Sequence, residues 1–117
     1  MSLRFQEFPL YNELRRFNTE IYHLSHSFPQ SENFELSSQL RRASTSVILN
    51  LAEGSMRKSD KELARFLLIC TGSLGEIVSI LDICLDLKYI APSTHEKYVL
   101  KCESLLKKLY GFRKSLL

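Results

Sequence analysis

From Ser59 to about Lys88 the chain runs without a proline and repeats apolar side chains at +3 and +4 spacing. Leu63, Phe66, Leu67, Cys70, Leu74, Ile77, Leu81, Cys84 and Leu85 share one face at that spacing, which is the period of a helix and not of a strand. The run opens on Ser59-Asp60-Lys61-Glu62, a capping box. In it the Ser59 hydroxyl accepts from the Glu62 N–H and the Glu62 carboxylate reaches back. At 1.5 Å per residue this helix is about 45 Å long. With only 4 Gly and 3 Pro in 117 residues, the rest of the chain favours long helices as well.

Three more segments carry the same period. The first runs from about Pro9 to Ser27 with Leu10, Leu14, Phe17, Ile21, Leu24 and Phe28 in step, and a proline suits its first turn. The stretch FPQSENF breaks the pattern. The second helix, from about Leu36 to Met56, carries Leu36, Leu40, Ala43, Val47 and Leu51; the last starts near Pro92, runs to about residue 115, and is expected to bury Val99, Cys102, Leu106 and Leu109. Helices over 9–27, 36–56, 59–88 and 92–115 with short connections predict an all-α, antiparallel up-down four-helix bundle in one domain, 1–117.

Two features exceed what a lone bundle needs. Ile48 and Leu49 point away from the Leu40/Val47 stripe, and a second seam on the third helix runs Ile69, Ser73, Glu76, Ile80, Ile83, Leu87. A helix that is apolar on two sides is central in a larger core or covered by another subunit, and four helices cannot surround one of their own number. A homo-oligomer is therefore expected, with Ile48, Leu49, Ile69, Ile80, Ile83 and Leu87 at its interface.

Cys70, Cys84 and Cys102 are odd in number, lack CxxC spacing and fall on apolar faces, which predicts buried free thiols in a reducing compartment. No apolar run of signal-peptide length opens the chain, and no segment approaches the ~18 uncharged apolar residues of a membrane span. The expectation is a cytoplasmic protein with no membrane contact.

The net charge of +3 names no partner, but its distribution is uneven. Residues 1–38 sum to −2 (3 basic, 5 acidic), 39–65 to +3 (6 and 3), 66–95 to −2 (1 and 3) and 96–117 to +4 (6 and 2). Arg41, Arg42, Arg57, Lys58, Lys61 and Arg65 make up the first basic group, with Arg57 and Lys58 at the turn between helices. They serve as solvated or intersubunit ion pairs, or as a phosphate-contacting rim multiplied by oligomer symmetry. No aromatics interleave with them, so any nucleic-acid contact is expected to be backbone-led and weakly sequence-specific. The nucleic-acid candidates are Arg41, Arg42, Arg57, Lys58 and Lys61, with Lys97, Lys101, Lys107 and Lys108 of the last helix as a second set.

Catalytic and metal chemistry find little support. His23 and His26 are an i,i+3 pair off the apolar stripe, His95 is far along the chain, and no further ligands cluster with them. No serine sits on a strand-to-helix elbow, and the glycines of CTGSLGE lack the strand and loop of a phosphate cradle; on a helix, Gly72 and Gly75 are expected to admit a neighbouring backbone. Neither catalytic residues nor a cofactor are expected. Asn50 and Glu53 lie beside the core stripe of the second helix, and polar groups there must find partners. Ser73 and Glu76 are the candidates, so Asn50, Glu53, Ser73 and Glu76 form either a register-fixing polar network or a ligand contact.

The run SSQLRRASTSVILNLAEGSMRKSDKELARFLLICTGSLGEI resembles the hallmark of the 23S rRNA-intervening sequence proteins. The matching residues are Gln39, Arg41-Arg42-Ala43, Ser46, Asn50, Ala52-Glu53-Gly54, Arg57, Ser59, Arg65-Phe66-Leu67 and Gly72-Ser73-Leu74 with Glu76. Phe28-Pro29 with Glu32 also fits, and Lys88-Tyr89-Ile90 stands where the family often has Gly-Tyr-Ile; Cys70-Thr71 and Gly75 depart from the pattern. The resemblance implies a left-handed antiparallel bundle assembling into a ring, commonly a homopentamer, without established enzymatic activity. It also implies kinship with proteins encoded in insertions of bacterial large-subunit rRNA genes, and with a retroelement accessory protein that binds nucleic acid and a reverse transcriptase. The expected function is RNA binding by a non-enzymatic oligomer; the alternative is a scaffold that docks a partner protein, its arginines committed to subunit contacts.

Overall fold

The computed structural model describes residues 1–117. It contains helices α1 (Pro9–Ser25), α2 (Leu36–Ser55), α3 (Asp60–Asp86) and α4 (Pro92–Ser115), with short 3-10 turns at Arg4–Glu7 and Gln30–Glu32. The ends differ from the sequence expectation by two residues at most, the range over which helix ends fray.

Local chemistry explains where α3 begins and stops. Ser59 is extended and its Oγ accepts from the Glu62 N–H at 3.2 Å. The return arm of the expected capping box is not made: the Glu62 carboxylate accepts from Arg65 Nε at 2.9 Å instead, a charged donor making the stronger bond. At the other end the Tyr89 N–H donates to the Cys84 carbonyl at 2.9 Å and the Lys88 N–H to that of Leu85 at 3.0 Å. These two bonds are a Schellman cap, which needs a left-handed residue. Lys88 supplies it with φ 61, the one non-glycine residue with positive φ. A lysine there carries a steric cost that glycine avoids. Lys88→Gly is therefore expected to raise the unfolding free energy by about 1 kcal/mol, read as a higher urea midpoint at unchanged m-value.

Contacts between helices fix the topology. Asn18 meets Ser44 while Ser25 meets Ser37, Ser46 meets Ser73 while Gly54 meets Phe66, and Glu13 meets Lys108 while Glu20 meets Lys101. In each pair one helix ascends as the other descends, so the packing is antiparallel. The molecule measures 44 × 25 × 19 Å, and the 27 residues of α3 run most of its length. By length and hydropathy α3 also passes as a membrane span, which corrects the expectation that no segment comes near. Here its apolar face is used inside the bundle: Leu63, Leu67, Cys70, Leu74, Ile77, Leu81 and Cys84 are all buried against the other helices.

The expected core stripes of α1, α2 and α3 recur with Leu24, Leu36 and Leu85 half-buried at their margins. Three expectations need correction. On α4 the buried stripe is Tyr98, Cys102, Leu105, Leu109, and Val99 and Leu106 flank it half-buried. Both sets are helically spaced, so periodicity alone does not choose between them. Ile80, expected at a subunit interface, is only 4% exposed and belongs to the core; with Ile77 and Leu81 it widens the buried face of α3 toward the second seam. Gly72 and Gly75 have no atom within 4 Å of a built Cβ, and the close approach occurs at Gly54 instead.

Candidate nucleic-acid interface

Antiparallel packing gathers the start of the chain, the α2–α3 turn and the end of α4 at one end of the bundle. Phe8 stacks edge-on to Phe112 at 5.1 Å and Arg4 lies 3.8 Å from Asp60, which ties these segments together. Residues 1–8, 53–66 and 107–117 carry nine Lys and Arg against four Asp and Glu. The opposite end, residues 23–38 and 79–97, carries two against five. Blocks of charge that alternate along the sequence thus become one basic and one acidic pole. A field of this kind steers polyanions toward the basic end.

At the basic pole the turn 56–59 presents Lys58, and the first turn of α3 presents Lys61; both are exposed and make no ion pair within the chain. Arg57 donates to Glu53 Oε1 at 2.8 Å and sits 5.0 Å from the centre of the Phe66 ring. Arg65 bonds Glu62 and lies 4.7 Å from the same ring. The hydrogen bond from Arg65, then its charge, holds the Glu62 carboxyl below its ordinary pKa.

The other basic candidates divide in two. Arg41 is a staple: its Nη1 donates to Ser25 Oγ at 3.0 Å and its Nη2 to the Asn33 carbonyl at 3.3 Å, tying α2 to the connection after α1. Lys101 and Lys108 bridge α4 to Glu20 and Glu13 of α1 at 2.6 and 2.5 Å, and Lys97 lies 5.3 Å from the Tyr98 ring. Arg42 and Lys107 are exposed without an intramolecular partner. Arg42 borders an open groove of about 490 Å³ on α2 with Tyr22, Thr45, Leu49, Asn50 and Glu53.

The polar set beside the core is smaller than expected. Asn50 Nδ2 donates to the Ser46 carbonyl at 2.8 Å and to Ser46 Oγ at 3.0 Å, and Ser46 Oγ lies 3.0 Å from Ser73 Oγ. Glu53 pairs with Arg57 instead, and Glu76 is exposed on α3 with no partner. Ser46 is the link that pattern reasoning passed over; its i−4 position to Asn50 was the available signal. The groove on α2 holds Asn50 and Glu53 but not Glu76, so no cavity collects all three polar residues.

Of the expected interface residues, Leu49 (61%), Ile69, Ile83 and Leu87 are exposed, joined by Leu68. Ile48 is half-buried against the core. Burial pushes the Cys70 and Cys102 thiols up to about 12 and Cys84 to about 11, far from the reactive thiolate range. His23 and His26 face solvent, His95 Nε2 bonds Asp82 Oδ1 at 2.7 Å, and no three His, Cys, Asp or Glu side chains gather as a metal site.

The family described as 23S rRNA-intervening sequence protein matches residues 6–111. A solved structure of a protein of unknown function, from the S23 ribosomal protein family of Bacteroides thetaiotaomicron VPI-5482, superposes with a TM-score of 0.82. It is 21% identical and covers 90% of this chain and 98% of its own, a likeness of fold. No curated protein matches the sequence. With all four helices largely or wholly inside the matched span and the signature residues placed on α2, α3 and their turn, the chain belongs to the 23S rRNA-intervening sequence protein family.

Proposed function

We propose that this protein is a non-enzymatic, cytoplasmic homo-oligomer that binds structured RNA through the basic pole of each bundle. The observation that carries this is the segregation of charge, with nine cations against four carboxylates at the pole formed by the α2–α3 turn and the chain ends. Lys58 and Lys61 are its leading contacts because no intramolecular acceptor holds them, and Lys107 is the next; Arg42 is also unpaired but lies nearer the other end of α2. The family name supplies rRNA as context for a nucleic-acid partner. Self-assembly is supported by apolar side chains left uncovered on adjacent helices, Leu49 on α2 and Ile69, Ile83 and Leu87 on α3. A ring of five is the arrangement that the family resemblance implies. Three buried free thiols suit a reducing cytoplasm.

Phosphate-led binding makes a steep prediction. Affinity for a structured RNA should fall by orders of magnitude between about 50 and 200 mM salt when several phosphates are contacted. Lys58→Glu with Lys61→Glu should weaken binding about tenfold at fixed salt and flatten the slope, with the fold intact because both side chains are exposed. Fluorescence anisotropy across a salt series reads both. Binding indifferent to salt, or undiminished in the double variant, would favour the rival reading, in which the bundle is a scaffold for a partner protein. Arg41, tied to Ser25 and Asn33 within the chain, is no leading contact for RNA; the unpaired lysines of the basic pole are.

A further inference from the structure

Arg57 and Arg65 both lie against one aromatic ring. Their guanidinium carbons lie 5.0 and 4.7 Å from the Phe66 centroid, within cation–π range, so they are no farther apart than the sum of those distances. Phe66 is itself immobilised: it is buried, and its Cβ is 2.5 Å from where a side chain on Gly54 would begin. The close approach of α2 to α3 at Gly54 therefore fixes the ring on which both arginines rest.

Each guanidinium is also fixed at one edge. Arg57 Nη2 donates to Glu53 and Arg65 Nε donates to Glu62. The other N–H groups of both forks have no acceptor within the chain. All four charged side chains of these pairs are about half exposed, and ion pairs in such settings contribute little to stability. Their physical consequence is orientation, since two planar cations are held against one ring, no farther apart than the sum of their distances to it, with donors left over. Lys58 and Lys61 stand between them in sequence and add unpaired positive charge.

We propose that Arg57 and Arg65 form a phosphate clamp. Phe66 sets their separation, Glu53 and Glu62 set their planes, and the free N–H edges take the oxygens of a phosphodiester or of a free polyphosphate. The clamp rests on the reading that RNA phosphates approach this pole. It adds Arg65 as a contact, with Phe66, Glu53 and Glu62 as positioning residues. Guanidinium carries five donors in a planar fork, so it can keep one carboxylate and still grip a phosphate at two points. An ammonium has the charge without the fork.

Arg57→Lys with Arg65→Lys separates the clamp from simple charge. Both positions are exposed and the charge is unchanged, so folding, checked by circular dichroism and urea unfolding, should be retained. At fixed salt the affinity for a structured RNA should drop about tenfold or more, while the slope against salt stays close to that of the parent. Pyrophosphate probes the clamp without RNA: it should raise the melting temperature of the parent and leave that of the double variant unmoved. Phe66→Leu, which keeps an apolar side chain but removes the platform, should lose part of both effects. RNA binding and the pyrophosphate response both surviving in the double variant would overturn the clamp. Salt-dependent RNA binding that ignores the arginine-to-lysine change would overturn the clamp and leave the RNA reading standing. A pyrophosphate response lost in the double variant, with no RNA binding by the parent, would support the clamp and sink the RNA reading.

Discussion

Gly54→Ala is expected to lower the unfolding free energy by about 2–3 kcal/mol, although alanine is the better helix former by nearly 1 kcal/mol. The new Cβ would stand 2.5 Å from the Phe66 Cβ and 3.1 Å from Leu63 Cδ1. Leu63 Cδ1 ends a flexible side chain and can turn aside. The Phe66 Cβ is attached to backbone, so relief requires α2 and α3 to separate. Their separation would loosen Leu51, Leu63 and Leu67, all buried where the two helices meet, and tightly packed interiors do not absorb such a shift cheaply. The same substitution at Gly111, interior to α4 with nothing within 4 Å, serves as the control and should stabilise by about 0.5–1 kcal/mol. Urea midpoints for the two variants check the contrast. Equal midpoints would mean that the helices are not in contact at Gly54. The Phe66 ring would shift with α3, so Gly54→Ala should also blunt the pyrophosphate response assigned to Arg57 and Arg65.

The contrast among glycines shows what the sequence makes legible and what it does not. Helix number, helix length and the stripes of α1, α2 and α3 follow from period and capping, which are local and written in the chain. Which glycine is crowded is not local. Gly72 and Gly75 invite the inference because two glycines lie close together in one helix, yet Gly54 is the one facing Phe66 across the bundle. The shift on α4 from Val99/Leu106 to Tyr98/Leu105 has a related cause. Both pairs keep helical spacing with Cys102 and Leu109, and the rotation of α4 is set by what α1 and α3 leave to be filled. Tyr98 enters the core although it carries a hydroxyl, and burial, the first cause, raises its pKa.

The candidate site was legible as a set of charges but not as a geometry. Block sums along the sequence located the basic segments, and antiparallel topology turned them into a pole. Sequence patterning could not tell Arg41, tied to Ser25 and Asn33, from its neighbour Arg42, which is unpaired. A turn of 100° per residue decides that difference, together with the path of a connection before α2. Nor could it distinguish Lys101 and Lys108, bridged to α1, from Lys107, which is not. Those bridges depend on which helix lies beside α4.

Ile80 and Ile83 are one turn apart on α3 and were expected on one interface, yet they should respond differently to truncation. Ile80 is 4% exposed within the single chain and Ile83 is 42% exposed. Ile80→Ala should therefore cost about 2–4 kcal/mol through lost burial and the cavity left behind. That loss should be the same at every protein concentration, because the contacts are intramolecular. Ile83→Ala should change the unfolding free energy by no more than about 0.5 kcal/mol in dilute solution, where an exposed side chain has little to lose. Any larger effect should emerge only as concentration rises and copies associate, since stabilisation by a partner follows mass action. Urea unfolding of both variants across a hundredfold range of concentration, with light scattering on the same samples, separates the two behaviours. A concentration-independent loss at Ile83 would place it inside the bundle and require α3 to be rotated from the orientation described. A concentration-dependent loss at Ile83, with a falling apparent mass, would identify the Ile69/Ile83/Leu87 face as the surface on which copies of this chain meet.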